Sequence, residues 1–480
     1  MRQASGIGGQ NPTLARFDIF LKENKLMRSC ILTVVLALGL TGAGPASAED
    51  LIQIYDLAVL SDPVLKKAEQ QLLATREAKP QALALLLPNI GVTATGQYQN
   101  LEAFDVPDAL GVGSRTKREG FNSGQGTAVL NQTLYNRGQW IGLKRSSDVI
   151  SQAEAEYKTN QIQLMARTAE AYFNVLRAAD LVRSSEALMR ANERQLEQSK
   201  QRFDVGLVAI TDVNDNQAAY DRSRATVITN KNQLDNSWEA LRVIIGPLDV
   251  TLARLGDNLP LAPPAPNDIK EWTKAALQNN YTIQAASQAV AAAKKQVEIE
   301  RSGHYPTLGL QAGYQMDRSG SEQFGGYDTN ASFIGLNLSI PIYQGGAVTS
   351  RTRQAGHTLE ATQEQLDAVR RQVTKEVTDN FRGVLSSISE VEARKAAIVS
   401  ATSTLESTEA GLEVGTRTQV DVLNAQRQLY ENEYLYLSAR YDYIIYGLKL
   451  YQATSGLSRD VIDRANTWLN PRELLTANHY

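Results

Sequence analysis

Cysteine, histidine and long apolar runs are what this chain has least of. Its 480 residues hold one cysteine, Cys30, and three histidines, His304, His357 and His479. Cys30 falls inside a stretch that reads as an export signal, so the exported chain carries no cysteine and disulfides cannot hold it together. Cys30 also lacks the Leu-x-Ala/Gly context of a bacterial lipid-anchor site. The histidines are scattered, no pair stands at metal-ligand spacing, and there is neither a Walker A loop nor a Gly-x-Ser-x-Gly elbow. Gly6-Ile7-Gly8-Gly9 precedes no strand–helix unit. These absences exclude a recognisable enzyme, metal, cofactor or ATP site. A surplus of positive charge is missing too. Against 49 Lys and Arg stand 52 Asp and Glu, and beyond residue 48 the balance is 44 to 50, a net −6. That excludes the basic face of a nucleic-acid binder. No apolar run after residue 50 reaches the about 20 residues that a spanning helix needs. The mean hydropathy of −0.31 suits a soluble protein, but a helix-rich chain with a small β membrane part has the same average.

Residues 27–48 have the three parts of a secretory signal. Met27-Arg28 supply the basic start, Ile31 to Leu40 the apolar run, and Ala46-Ser47-Ala48 the small-residue cleavage site. This reading starts the mature chain at Glu49. Residues 1–26 are polar and fit neither a signal nor a core, so Met27 is taken as the true start.

One stretch is used twice. Phe203-Asp204-Val205-Gly206-Leu207-Val208-Ala209-Ile210-Thr211-Asp212-Val213 is matched by Leu412-Glu413-Val414-Gly415-Thr416-Arg417-Thr418-Gln419-Val420-Asp421-Val422, at an offset of 209 residues without a gap. A long helical pattern precedes and follows each copy. Each therefore reads as the tip of a long αα-hairpin, with Gly turning the chain and Thr/Asp capping the next helix. Repetition with similar flanks marks the pair as an internal duplication.

The rest of the chain repeats with the tips. Leu51 to about Leu86 is helical in pattern, with an early break at Asp62-Pro63. In 90–100, Val92, Ala94, Gly96 and Tyr98 alternate with Thr93, Thr95, Gln97 and Gln99, a strand with one apolar face. A polar loop over 101–123 leads to a second strand at 124–135. From Trp140 a helical period runs about sixty residues, with Ile162, Met165, Ala169, Tyr172, Leu176 and Ala179 as a coiled-coil seam. Such a helix is roughly 95 Å long. Phe173, Val175, Leu181 and Val182 lie off the seam, so neighbours are expected on two sides. The domain reading is 1–48 extension and signal, 49–246 first repeat, 247–267 Pro-rich linker, 268–456 second repeat, and 457–480 a tail without assignment. In the second repeat the strands are expected at 307–315 and 331–343, with a polar loop over 316–329, and the tips of the two repeats at 203–213 and 412–422.

Strands of about ten residues with one apolar face have the length and pattern of membrane strands. Four cannot close a barrel, and an open edge in lipid leaves backbone groups unsatisfied at several kcal/mol each. A barrel then has to be shared between chains; three give twelve strands and four give sixteen, and the arithmetic does not choose. Both ends of each strand pair lead to long helices, so the helices leave on one side. The competing reading is an exported coiled-coil or adaptor protein without a pore, which has no need of strands apolar along one full face. A secreted hydrolase is a third reading, without any nucleophile–base arrangement.

The duplicated order resembles that of the TolC-type outer-membrane efflux proteins of Gram-negative bacteria. The resemblance covers about residues 49–456 and rests on Ala171-Tyr172-Phe173-Asn174-Val175-Leu176, on the first tip with Arg202 before it, on Pro341-Ile342-Tyr343-Gln344-Gly345-Gly346, and on the second tip continued by Leu423. It implies an α+β membrane protein: a homotrimer with a 12-stranded β-barrel in outer-membrane lipid, continuing into a 12-helix periplasmic tunnel. It also implies a passive exit duct for tripartite efflux pumps and type I secretion systems. Its partners are then a periplasmic adaptor (membrane fusion) protein and an inner-membrane pump of RND, ABC or MFS type, with no cofactor and no nucleic acid. The energy comes from those partners.

The same resemblance assigns roles at the tips. Thr211, Asp212 and Arg417 match the links that close the periplasmic gate. The gate tyrosine falls on Leu412, a departure that removes one closing hydrogen bond. Asp421 matches a pore-lining aspartate ring, which concentrates cations. A second ring falls on Asn424, so weaker cation selectivity is expected. Gly206 and Leu207, with Gly415 and Thr416, resemble the adaptor-docking sites.

Overall fold

A computed structural model of the chain describes residues 50–107, 114–248, 250–322 and 325–476. The expected extension and export signal at 1–48 lie outside the described residues, as does the 108–113 part of the first expected loop. From Asp50 onward the chain is α+β.

The first helical stretch is three helices, α1 (Leu51–Ser61), α2 (Pro63–Arg76) and α3 (Ala78–Ala84). The break has a local cause. The Asp62 carboxylate accepts the Leu65 N–H at 2.8 Å, and Pro63 sits at the first helical position, where no N–H is needed. The second repeat does the same. The single helix expected from Asp268 to Ser302 is α6 (Ile269–Asn279) and α7 (Tyr281–Arg301), divided where Asn280 accepts the N–H groups of Thr282 and Ile283 at 2.8 and 3.2 Å. The sequence shows no helix breaker at Asn280, which is why the division is illegible there.

Two helices run the full length of the helical part. They are α4 (Arg137–Asp204), 68 residues, and α8 (Ala347–Glu413), 67 residues. Each is about 100 Å long at 1.5 Å per residue. Their hairpin partners are α5 (Ile210–Ile245) and α9 (Gln419–Ala453), and α9 also packs on α4. Nearer the strands, α7 lies against both α4 and α8, and α2 lies against α4. The shorter helices meet end to end. Asn280 Nδ2 donates to the Ala453 carbonyl at 2.8 Å, and the Tyr281 N–H donates to Ser455 Oγ at 3.1 Å, so α7 continues the path of α9. Ser61 Oγ reaches the Ile244 carbonyl at 3.5 Å, so α2 continues that of α5. Buried Asp62 and Asn280 are thus equivalent joints of the two repeats.

Around these joints sits the main core. Tyr172, Phe173 and Tyr441 are fully buried, with Phe173 edge-on to Tyr172 at 5.5 Å between centroids. The proline-rich linker is not a plain connector. It holds β3 (Thr251–Leu255), paired antiparallel with β6 (Leu469–Thr476) from the tail, and α10 (Arg459–Asn466) precedes β6. Buried Asp180 ties this small sheet to the long helices: it accepts from Tyr441 Oη at 2.6 Å and from Arg254 Nη1 at 3.1 Å. Tyr172 Oη donates to the Ala253 carbonyl at 2.7 Å. Burial, and then the charge of Asp180, push the Tyr441 phenol well above its ordinary range, so it remains a donor.

The second sheet has four antiparallel strands in the order β1 (Asn89–Pro107), β2 (Ser114–Tyr135), β4 (Thr307–Ser319), β5 (Tyr327–Ser339). The strands are longer than expected at the hairpin ends. Residues 101–107 and 114–123, read as loop, are strand, and Glu102 faces Arg118 across the ladder at 2.6 Å. Likewise β4 and β5 continue to the facing pair Arg318 and Asp328. Past the apolar belt charged and apolar residues mix on both faces, which erases the alternation without ending the pairing. At the other end β5 stops at Ser339 rather than residue 343, just before Pro341.

Register aligns the apolar residues. Ile90, Leu130, Ala312 and Ile334 form one row across all four strands, on the face that also carries Val92, Tyr314 and Leu336. The opposite face reads Thr93, Thr127, Gln315 and Ala331 in one row, and Thr95, Gln125, Asp317 and Thr329 in the next. Ile90 and Ile334 are 71% and 77% exposed. Among the described residues β1 and β5 are each paired on one side only.

Asp180→Ala is expected to destabilise the helical part by about 3–5 kcal/mol, because it leaves Arg254 largely enclosed without a counter-charge. A lowered denaturation midpoint of the purified protein, with Arg254→Ala adding little on top, checks this.

Candidate functional site: the two hairpin tips

The two tips are built alike. At the first, Gly206 has φ of 77° and its N–H donates to the Phe203 carbonyl at 2.8 Å, while the Leu207 N–H donates to Arg202 at 2.8 Å. At the second, Gly415 has φ of 77°, its N–H donates to Leu412 at 3.1 Å, and the Thr416 N–H donates to Gly411 at 2.8 Å. This closure satisfies the last carbonyls of α4 and α8 and needs a left-handed residue, which Gly adopts without strain. A Cβ at Gly206 or Gly415 would meet nothing within 4 Å, so conformation rather than room requires glycine.

Capping differs between the tips. The sequence suggests Thr/Asp caps at both, but α5 begins at Ala209 with no side-chain cap, and Asp212 offers only its N–H to the Ala209 carbonyl at 3.1 Å. The second tip has a full box. Thr418 Oγ1 accepts the Asp421 N–H at 3.2 Å, and Asp421 Oδ2 accepts the Thr418 N–H at 2.9 Å. The bond from the Thr418 N–H, a second from the Thr418 hydroxyl at 2.8 Å and the charge of Arg417 hold the Asp421 carboxyl below its ordinary range.

The other expected gate residues lie apart within one chain. Thr211 and Arg417 are exposed, Asp212 is half-buried, and no hydrogen bond or ion pair joins Arg417 to Thr211 or Asp212 among the described residues. Arg417 instead folds back over the last turn of α8: a Cβ on Gly411 would meet Arg417 Cγ at 2.6 Å. Leu412 contributes a carbonyl to the turn and an apolar side chain. Asn424 Oδ1 accepts from Arg427 Nη2 at 3.0 Å, so a cation stands one helical turn beyond it. Around the two tip glycines, for which docking is expected, Val205, Leu207 and Val414 are 70–75% exposed.

Three features escaped the sequence. Gly411 makes room for Arg417, and Arg427 reaches Asn424. Buried Gln419 bridges the two hairpins: its Oε1 accepts from Gln195 Nε2 at 3.2 Å, and its Nε2 donates to Asn216 Oδ1 at 3.0 Å. The three-residue spacing of Asn424 and Arg427 is the one signal that reading by helix face offers. An open groove of about 430 Å³ beside this bridge, between α4, α5 and α9, is lined by Leu188, Asn192, Arg222, Asn424 and Tyr430 among others.

Asp421 keeps its charge as pH falls through the ordinary aspartate range, and the box stabilises the start of α9 until pH passes below the lowered value. In Thr418→Ala, Asp421 is expected to protonate at higher pH than in the parent. Infrared titration of aspartate labelled at its carboxyl carbon, with Asp421→Asn to assign the band, checks the shift.

The family model for outer membrane efflux proteins matches residues 54–247 and 272–456. The chain is 38% identical over 439 residues to outer membrane protein TolC of Vibrio cholerae, spanning 90% of this chain and 96% of that protein. It is 27% identical over 402 residues to the alkaline protease secretion protein AprF of Pseudomonas aeruginosa, spanning 83% of each. In fold it is similar to the Campylobacter jejuni CmeC outer membrane channel, with a TM-score of 0.71 at 15% identity, over 90% of this chain and 94% of that one. The matched residues include both strand pairs, both long helices and both tips, and on that ground the chain belongs to the outer membrane efflux protein family, in the outer membrane of a Gram-negative bacterium.

Proposed function

We propose that three copies of this chain close a 12-stranded barrel in the outer membrane and a helical tunnel below it. The observation that carries this reading is the four-stranded sheet, with an apolar belt across one face and unpaired at both edges among the described residues. In lipid such edges cost several kcal/mol per unsatisfied group, and pairing β5 of one copy with β1 of the next removes them. Asn89, Tyr135, Thr307 and Ser339 lie at one end of the sheet, so every helix leaves on the same side.

The chain is an outer-membrane exit duct for efflux and type I secretion. The family and the fold are those of channels, which are not enzymes. In our reading the tips form the periplasmic gate. Arg417, which makes no hydrogen bond or ion pair to Thr211 or Asp212 among the described residues of its own chain, meets Thr211 and Asp212 of a neighbouring copy. A partly exposed link of this kind is worth about 1 kcal/mol or less, but three acting together bias an opening equilibrium. Three copies of Asp421 form a charged ring, and at Asn424 the second ring is neutral with Arg427 beside it, which weakens cation selectivity. A periplasmic adaptor docks on the exposed apolar tips at Gly206, Leu207, Gly415 and Thr416 and couples the duct to an inner-membrane pump.

In planar bilayers the purified protein is expected to give small cation-selective steps, and Arg417→Ala larger ones. Equal conductance in both, with the protein inserted and trimeric, removes Arg417 from the gate. Asn424→Asp is expected to raise the cation-to-anion permeability ratio, measured from the reversal potential in a salt gradient.

A further inference from the structure

We propose that Gln419, held by Gln195 and Asn216, is a latch inside each copy that keeps the second hairpin closed against the first. This rests on reading the tips as a gate. Gln419 is the first residue of α9, midway between Arg417 and Asp421. Its side chain hydrogen-bonds to both helices of the other hairpin, Gln195 on α4 and Asn216 on α5. Asn216 is fully buried and Gln419 is 9% exposed, so water does not substitute for these bonds while the helices stay together.

The capping box makes the latch effective. Thr418 and Asp421 fix the first turn of α9 as one unit, so Gln419 cannot swing while its neighbours hold still. For Arg417 and Asp421 to move away from the axis, the start of α9 must move, and the Gln419 bonds must part. The polar cluster is also under-satisfied. Among the described residues Asn216 Nδ2 and Asn192 Oδ1 are buried without hydrogen-bond partners, and Asn192 Nδ2 reaches the Ala219 carbonyl only at 3.4 Å. A joint serving stability alone gains from full pairing or from apolar packing, whereas one that must part is served by few, breakable bonds.

The test uses the full-length trimer in planar bilayers with Gln419→Met, which conserves volume and removes both bonds, with Asn216→Ala, which removes one bond from the other side, and with the double variant. Arg417→Ala is the control. Each single variant is expected to raise open-state conductance or occupancy about fivefold or more over the parent, with the trimer's resistance to heat dissociation unchanged. The double variant is expected to be no more open than the larger single, because both act through the same bond. Unchanged conductance in both single variants overturns the latch, and so does a double variant whose effect is the product of the singles. If Arg417→Ala opens while Gln419→Met and Asn216→Ala do not, the latch is wrong and the gated duct stands. If Arg417→Ala is silent as well, the gate reading fails and the latch fails with it.

Discussion

The backbone hydrogen bonds of two strand edges govern this protein. Among the described residues β1 and β5 are each unpaired on one side, on strands whose apolar face has Ile90, Val92, Ile334 and Leu336 open to the surroundings. In water such an edge invites aggregation; in lipid it is intolerable unless closed. The closure a four-stranded sheet permits is with further copies of itself. In the trimer proposed above the helices share the symmetry of the barrel, because each strand pair opens into them at the same end.

The helical part meets a different demand, which is length. Two helices of about 100 Å cannot be held by a single partner each along their whole course. The chain divides the task, with α5 and α9 flanking the tip half and α7 and α2 the strand half. Where they meet, Asp62 and Asn280 end one helix and start the next while satisfying the exposed backbone groups of the joint. The small β3–β6 sheet and the Asp180 network brace this level, where four helix ends come together. The tips lie far from that brace. They are held by a glycine turn, one capping box and a few side-chain amides, so the proposed gate falls on the part of the helices with the fewest long-range ties.

The two tips share a backbone and differ in their side-chain bonds. Gly206 and Gly415 have the same left-handed conformation. The first tip has no side-chain cap at Ala209, while the second has the Thr418–Asp421 box and Arg417 packed over Gly411. The second tip therefore has the more firmly ordered helix start, and both tips leave apolar residues exposed, Val205 and Leu207 at the first and Val414 at the second.

Local pattern determined much of this. Alternation at 90–100 and 331–339, the seam from Ile162 to Ala179, and the repeated glycine tips are periodicities set by nearest neighbours, and they carried the element order and the duplication. The split at Asn280, the strand in the proline-rich segment and the placing of the tail depended on partners far away in sequence: Ala453 for Asn280, β6 for β3. Polar strand ends such as Glu102 and Arg118 read as loop because pairing, not alternation, keeps them extended. At the site, the sequence supplied the residues with charge or turn geometry, including Arg417, Asp421, Gly206 and Gly415. Gln419, Asn216 and Gly411 became visible only in three dimensions, because an amide or a missing Cβ has no role until another helix lies against it.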